Sequence, residues 1–209
     1  GDSLTYPYTI KGPATLNDLN NYDGNPIVQT TPISFVDPPI SFVNPPATVT
    51  YGDNNFTLTT VNGNGDGAVS YSSSDSNVLS VNSSTGEVTI VGTGSATITA
   101  TKAGDVRTAS TFIAVQNAFA YVLNTDVKDK TYDGTTIAEF SGIPTLSGIS
   151  NSDDVKLVNA TASFADANAS ENAIPVSFSS FALSGTKASN YTIVQPIPVA
   201  AKINKATLT

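Results

Sequence analysis

VSYSSSDSNVLSVNSSTGEVTIVGTGSATITATKAG, residues 69–104, reads as four short strands separated by polar turns. Val69 and Tyr71 alternate with serines, Leu79 and Val81 with serine and asparagine, and Val88 and Ile90 with threonine. Ala96, Ile98 and Ala100 alternate with Thr97, Thr99 and Thr101. A period of two buries one face of a strand and leaves the other in water. The intervening segments, Ser72 to Asn77, Asn82 to Gly86 and Gly92 to Gly94, hold residues that bond their own backbone or tolerate positive φ. This punctuation predicts antiparallel hairpins.

Extending upstream to YGDNNFTLTT from Tyr51, and downstream through the GTGSATITAT run to Lys102, the wording resembles the group 2 bacterial immunoglobulin-like domains over residues 46–116. That resemblance implies a small β-sandwich, usually strung in tandem in surface adhesins or set beside catalytic modules of secreted enzymes. It implies no shared active site.

A second pattern begins with VKDKTYDGTTIAEF at Val127 and closes with LSGTKASNYTIVQPIPVAAKINKATLT at Thr209. Tyr132, Asp133 and Gly134 are followed by an FADANA stretch, a turn at Leu183 to Gly185, the Asn190-Tyr191 pair and a final A-x-I strand. Together these features resemble the YDG domain over residues 121–209, a module repeated in large bacterial surface adhesins. Asp133-Gly134 predicts a turn between a strand through Lys130 to Tyr132 and another through Thr136 to Phe140, with Tyr132 packed beside it. Alternations at Val155 and Leu157, Ala162 and Phe164, Val176 and Phe178, Tyr191 and Ile193, and Val199 to Ile203 supply the strands of a second sandwich. The junction from Gln116 to Asn124 carries no Gly or Pro, which predicts limited hinge freedom.

The first 45 residues are rich in Pro and Asn and contain a near-duplicate, PISFVDP from Pro32 and PISFVNP from Pro39. Because proline cannot donate to a ladder, the tandem suits an extended connector or paired edge strands, the second copy leading into the immunoglobulin-like module. Tyr22-Asp23-Gly24 echoes Tyr132-Asp133-Gly134, as a remnant of a preceding repeat would. The fold expectation is therefore all-β, tandem immunoglobulin-like β-sandwich domains in an elongated arrangement: a segment 1–45, a sandwich 46–117 and a YDG-like sandwich 118–209. A start at Gly1 and a closing KINKATLT suggest a piece of a longer secreted polypeptide.

Composition narrows the function. The formal charge is -8 with only 9 Lys and Arg, scattered along the chain, so phosphate backbones and anionic headgroups are poor partners. Cys, His, Met and Trp are all absent, which removes thiolates, imidazole bases and most transition-metal ligands. Serines have no histidine to activate them. Asp153-Asp154 is the one adjacent acidic pair in the sequence, and neighbouring strand residues face opposite ways, so a solvated loop is the better reading than an acid/base pair. No catalytic residues are assigned.

Asn62, Asn64 and Asp66 imitate the opening of a calcium loop, but position twelve is Ser73 instead of glutamate. A glycine-rich hairpin tip is the preferred reading, leaving calcium as the one cofactor candidate. Asp53, Asp126 and Asp129 are alternative calcium ligands at a module junction. Tyr6, Tyr8 and Tyr22 are the rings to consider for a glycan or protein contact. The Thr97, Thr99 and Thr101 ladder reads as an ordinary solvent face. Lys130 or Lys202 could donate to an isopeptide bond, although no motif selects them.

These readings converge on a non-catalytic structural or adhesive module pair of a bacterial cell-surface or secreted protein, acting as a monomeric stalk or spacer. Its partners would be neighbouring domains of the same polypeptide, with no nucleic acid and no membrane insertion within this stretch. The alternatives are a module that itself binds glycan or a host surface protein, and an accessory module of a secreted polysaccharide-degrading enzyme. An exposed contiguous aromatic or apolar patch would favour binding over spacing.

Overall fold

The computed structural model describes residues 38–63, 66–105, 107–150 and 152–207, all within the compact unit Asp37–Thr209. The chain is all-β. Among the described residues there is no α-helix, only one 3-10 turn at Ala188–Asn190, so no helix is long and apolar enough to cross a membrane.

The first group of strands comprises β1 (Ser41–Phe42), β2 (Thr48–Thr50), β3 (Phe56–Thr57), β4 (Thr60–Val61), β5 (Val69–Ser73), β6 (Leu79–Val81), β7 (Glu87–Ile90), β8 (Gly94–Lys102) and β9 (Thr108–Gln116). A four-stranded sheet in the order β2-β9-β8-β5 faces a three-stranded sheet β3-β7-β6. This is an immunoglobulin-like sandwich.

All four strands of the opening stretch exist, yet they divide between the two sheets. β6 and β7 form the direct hairpin, whereas β5 pairs with β8 in the facing sheet. The turn chemistry is as the sequence predicts: Asn82 Oδ1 accepts the N–H groups of Ser84 and Thr85 at 3.0 and 3.1 Å, and Gly86 takes φ +73°. Alternation is equally plain on β8, where Ala96, Ile98 and Ala100 are buried and the threonines between them point outward. Leu79, Val88, Ile98 and Ile113 are fully buried between the sheets.

Of the duplicated heptapeptides, the second lies within the described residues and contributes β1, which pairs with β4. It also contributes Ile40, which is buried with Ala100 and Ala109 at one end of the sandwich. The first copy falls outside them, apart from Pro38.

The second group comprises β10 (Ala118–Leu123), β11 (Lys130–Thr131), β12 (Ile137–Ala138), β13 (Thr145–Ser147), β14 (Lys156–Val158), β15 (Ala162–Phe164), β16 (Ile174–Phe178), β17 (Ala182–Ser184), β18 (Tyr191–Val194), β19 (Val199–Ala201) and β20 (Ile203–Asn204). Its larger sheet runs β12-β15-β16-β19, with β11 and β20 paired in parallel beside it. Phe164, Val176 and Ile203 centre that core. Towards the first sandwich lie the sheet β13-β10-β18 and the pair β14-β17. Phe140, Phe178 and Phe181 form an aromatic cluster, with ring centroids 5.8 to 6.2 Å apart. The Gln195 amide continues the ladder in place of backbone, accepting from Phe181 N–H at 3.0 Å and donating to its carbonyl at 2.8 Å.

Asp133-Gly134 is a turn but not a hairpin. β11 pairs with β20 and β12 with β15, so the turn carries the chain from one sheet to another. Gly134 takes φ +76°, and Asp133 closes the bend by accepting the Thr135 N–H at 2.9 Å. Lys130 Nζ fills the bend, reaching Asp133 Oδ1 at 2.8 Å and the carbonyls of Thr135 and Ile137. Tyr132, at the start of this turn, is 45% exposed. The presumed junction after Gln116 is itself strand β10, leaving Asn117 as the only residue between β9 and β10.

Candidate functional site

The most elaborate constellation surrounds that one-residue link. Tyr51 follows β2, whose Thr50 pairs with Gln116, and the Tyr51 N–H donates to the Gln116 carbonyl at 2.9 Å. Tyr191 opens β18, directly opposite Ala118 of β10. Parallel pairing on both sides of Asn117 therefore brings the two tyrosines together, and their rings meet edge to face.

Both hydroxyls converge on Asp153. Tyr51 donates to Oδ1 at 3.2 Å and Tyr191 to Oδ2 at 2.5 Å, while the Tyr191 oxygen accepts the Ser150 N–H at 3.0 Å. Burial, and then the bond to the Asp153 carboxylate, push the Tyr191 phenol up to about 12. The same two causes in the same order raise Tyr51. Both phenols thus stay neutral donors. With each carboxylate oxygen accepting one phenol, Asp153 fastens the two tyrosines together.

A second set of bonds lies beside the first. Asn190 is the one buried polar residue among the described residues; its Oδ1 accepts from Thr93 N–H at 3.1 Å and from Thr93 Oγ1 at 3.2 Å. Its amide also bonds the Tyr51 hydroxyl. Asn117 Nδ2 donates to the Ser189 carbonyl at 2.9 Å, and Lys187 Nζ to that of Val91 at 3.2 Å. Beneath these bonds one apolar cluster runs from Leu79, Ile98 and Ile113 through Tyr51 and Val78 to Ala120 and Tyr191. The two sandwiches share a core.

Asp153 is thus half-buried and bonded, not the solvated loop residue the sequence suggested. Its neighbour Asp154 is exposed, its carboxyl held below the usual range by the Thr186 N–H and then by Lys156. Gly185 fixes the approach of this loop: at φ +118°, a Cβ there would lie 2.1 Å from the Asp154 carbonyl oxygen. The Asn190-Tyr191 pair was visible in the sequence as a family feature. Its partners, Tyr51 and Asp153, stood out in the sequence only as the start of the immunoglobulin-like wording and as half of an acidic pair, with nothing local to bring them together.

The other candidates are dispersed. Asn62 and Asp66 are exposed, and Asn64 lies outside the described residues. The carbonyls of Asn62 and Gly63 already accept bonds from Lys102 Nζ at 3.4 and 3.3 Å. Asp53 Oδ2 accepts the Thr50 N–H at 2.8 Å and Asp129 Oδ1 the Lys202 N–H at 2.7 Å. Among the described residues no group of three or more acidic side chains gathers in ligating geometry, Asp126 included. Tyr6, Tyr8 and Tyr22 lie outside the described residues.

One surface feature was not anticipated. Phe119, Tyr121 and Leu123 alternate along one face of β10 and are 56%, 48% and 47% exposed, with Val194 opposite Tyr121 on β18. The neighbouring outward positions are Thr145, Ser147 and Thr192, so this face carries no charge.

Residues 119–199 match the family model described as YDG domain, and residues 53–104 match that described as Intimin, immunoglobulin-like domain. The chain therefore carries an intimin-type immunoglobulin-like domain followed by a YDG domain. No curated protein matches it. Among solved structures, human protocadherin-24 EC1-2 aligns at 13% identity and TM-score 0.34, covering 83% of this chain and 100% of its own. Domains 4 and 5 of the S-layer protein SbsC align at 15% identity and TM-score 0.30, covering 82% of this chain and 99% of their own. Drosophila N-cadherin EC1-3 aligns at 10% identity and TM-score 0.28, covering 81% and 69% respectively.

Proposed function

We propose that this chain is a non-catalytic structural module pair of a bacterial cell-surface or secreted protein, a spacer that holds a more distal binding part at a set direction. Residues 46–117 and 118–209 are its two domains, preceded by the segment 1–45. The observation that carries this reading is the junction: Asn117 alone separates β9 from β10, and Tyr51, Asp153 and Tyr191 bolt the two sandwiches into one core. An adhesin-type module needs to transmit position and load, and a linker without slack does so at little entropic cost. Backbone ¹⁵N relaxation tests this. Both sandwiches should tumble with one correlation time; separate values in the unaltered chain would sink the spacer reading.

The β10 face supports a second reading, in which the YDG-like module also contacts a ligand. Exposed Phe119, Tyr121, Leu123 and Val194 form a contiguous apolar strip without charge, suited to a neutral glycan or an uncharged protein surface. A glycan array compared with the Phe119→Ser/Tyr121→Ser variant would read it. Binding that survives the substitutions, or no binding at all, would leave the spacer role alone.

A further inference from the structure

Tyr132 occupies the same place in the second sandwich as Tyr51 does in the first. Each follows a threonine that ends a short strand, β2 at Thr50 and β11 at Thr131. Each of those strands pairs in parallel with the closing strand of its sandwich, with Thr50 opposite Gln116 and Thr131 opposite Asn204. Each tyrosine then donates its N–H to the carbonyl of that opposite residue, at 2.9 Å for Tyr51 and 2.8 Å for Tyr132. A glycine and an aspartate then follow each tyrosine in opposite order, Gly52-Asp53 after Tyr51 and Asp133-Gly134 after Tyr132; both glycines take positive φ, while Asp53 accepts the preceding Thr50 N–H and Asp133 the following Thr135 N–H.

Their surroundings differ. Tyr51 is 9% exposed because the next sandwich supplies Tyr191, Asp153 and Asn190 to cover it. Tyr132 is 45% exposed and lines a shallow groove of about 420 Å³ with Asn168, Ala169, Lys205 and Ala206. By the same register, Lys205 stands where Asn117 stands in the first sandwich, and Ala206 where Ala118 does. From this equivalence with the junction already described, we infer that the Tyr132 groove is a docking surface for a further YDG-type module, whose own Asp153–Tyr191 surface would cover Tyr132 as it covers Tyr51. The occupant follows from the chemistry: once covered, a phenol needs a hydrogen-bond acceptor for its hydroxyl and a ring edge to pack against, and the surface that provides both is the one facing Tyr51.

This inference rests on the spacer reading and is tested separately from it. Residues 1–206 are joined to a second copy of residues 119–209, so that Ala206 takes the place of Ala118, and the appended copy carries Tyr132→Phe so that only the inner ring reports. Nitration by tetranitromethane is then followed by peptide mass spectrometry. The inner Tyr132 should be modified about tenfold more slowly than in the unextended chain, approaching Tyr51, because reaction then requires the junction to open. Asp153→Ala in the appended copy alone should restore most of the reactivity. Unchanged nitration of the inner Tyr132 with Tyr51 still protected overturns the docking surface and spares the spacer. Protection that ignores Asp153→Ala also overturns it, and a Tyr51 as reactive as exposed Tyr132 overturns the spacer reading itself.

Discussion

Tyr51 and Tyr191 meet edge to face with ring centroids 5.5 Å apart and planes at 82°, and both hydroxyls end on the carboxylate of Asp153. Two rings from different sandwiches, 140 positions apart, share one acceptor. That acceptor accordingly couples the sandwiches more directly than any surface ion pair could.

Asp153→Ala leaves two buried hydroxyls without their acceptor and should lower stability by about 1–3 kcal/mol. Tyr51→Phe and Tyr191→Phe each remove a donor, and their combined effect should be less than additive once Asp153 is also replaced. Urea unfolding of the single and multiple variants measures the coupling; strict additivity would show that the three groups act separately.

Alkaline pH should weaken the same junction. A free phenol loses its proton near 10.0, whereas folded Tyr191 keeps it to about 12, so above pH 10 the unfolded chain binds fewer protons and stability falls through that window. Tyr51, raised in the same direction, adds to the slope. Denaturant midpoints between about pH 9 and 12 check this, with Tyr191→Phe expected to flatten the decline without removing it.

Asp133 behaves in the opposite sense. The bonds from Lys130 and from Thr135 hold its carboxyl down to about 2, against an ordinary 3.8. Its contribution is complete above the ordinary value and is lost as the pH falls towards about 2. Because the group is solvent-exposed, the energetic effect is small, and carboxyl ¹³C titration is the suitable measurement. Lys130→Met should return Asp133 upward towards 3.8.

Burial separates two isoleucines of equal size. Ile98 is fully buried between the sheets of the first sandwich, whereas Ile197 is 81% exposed. Ile98→Ala should cost about 2–5 kcal/mol, while Ile197→Ala should stay within about 0.5 kcal/mol. Thermal melting of the two variants decides it, and similar losses would contradict the placement of the core.

Much of the architecture could be read locally. Ala96, Ile98 and Ala100 announced the buried face of β8, and Asn82 to Gly86 announced the turn between β6 and β7, because side-chain period and self-bonding turn residues act over a few positions. Asp133-Gly134 shows the limit of that reading. The turn is real, but its flanking strands join different partners, and nothing within five residues selects β20 over β12. The pairs flanking the link escaped for the same reason: β10 lies in what the sequence offered as a junction, and Asp153 looked like an ordinary loop acid.

By itself, then, the sequence determined an all-β chain, its two module types and most of its strands, since alternation and turn chemistry are properties of neighbouring residues. Only the tertiary structure decided which strands pair, that Asn117 is the whole link, and that Tyr51, Asp153 and Tyr191 close a shared core. Those choices depend on contacts between residues far apart in the chain, whose free energy appears only once both partners have been brought together.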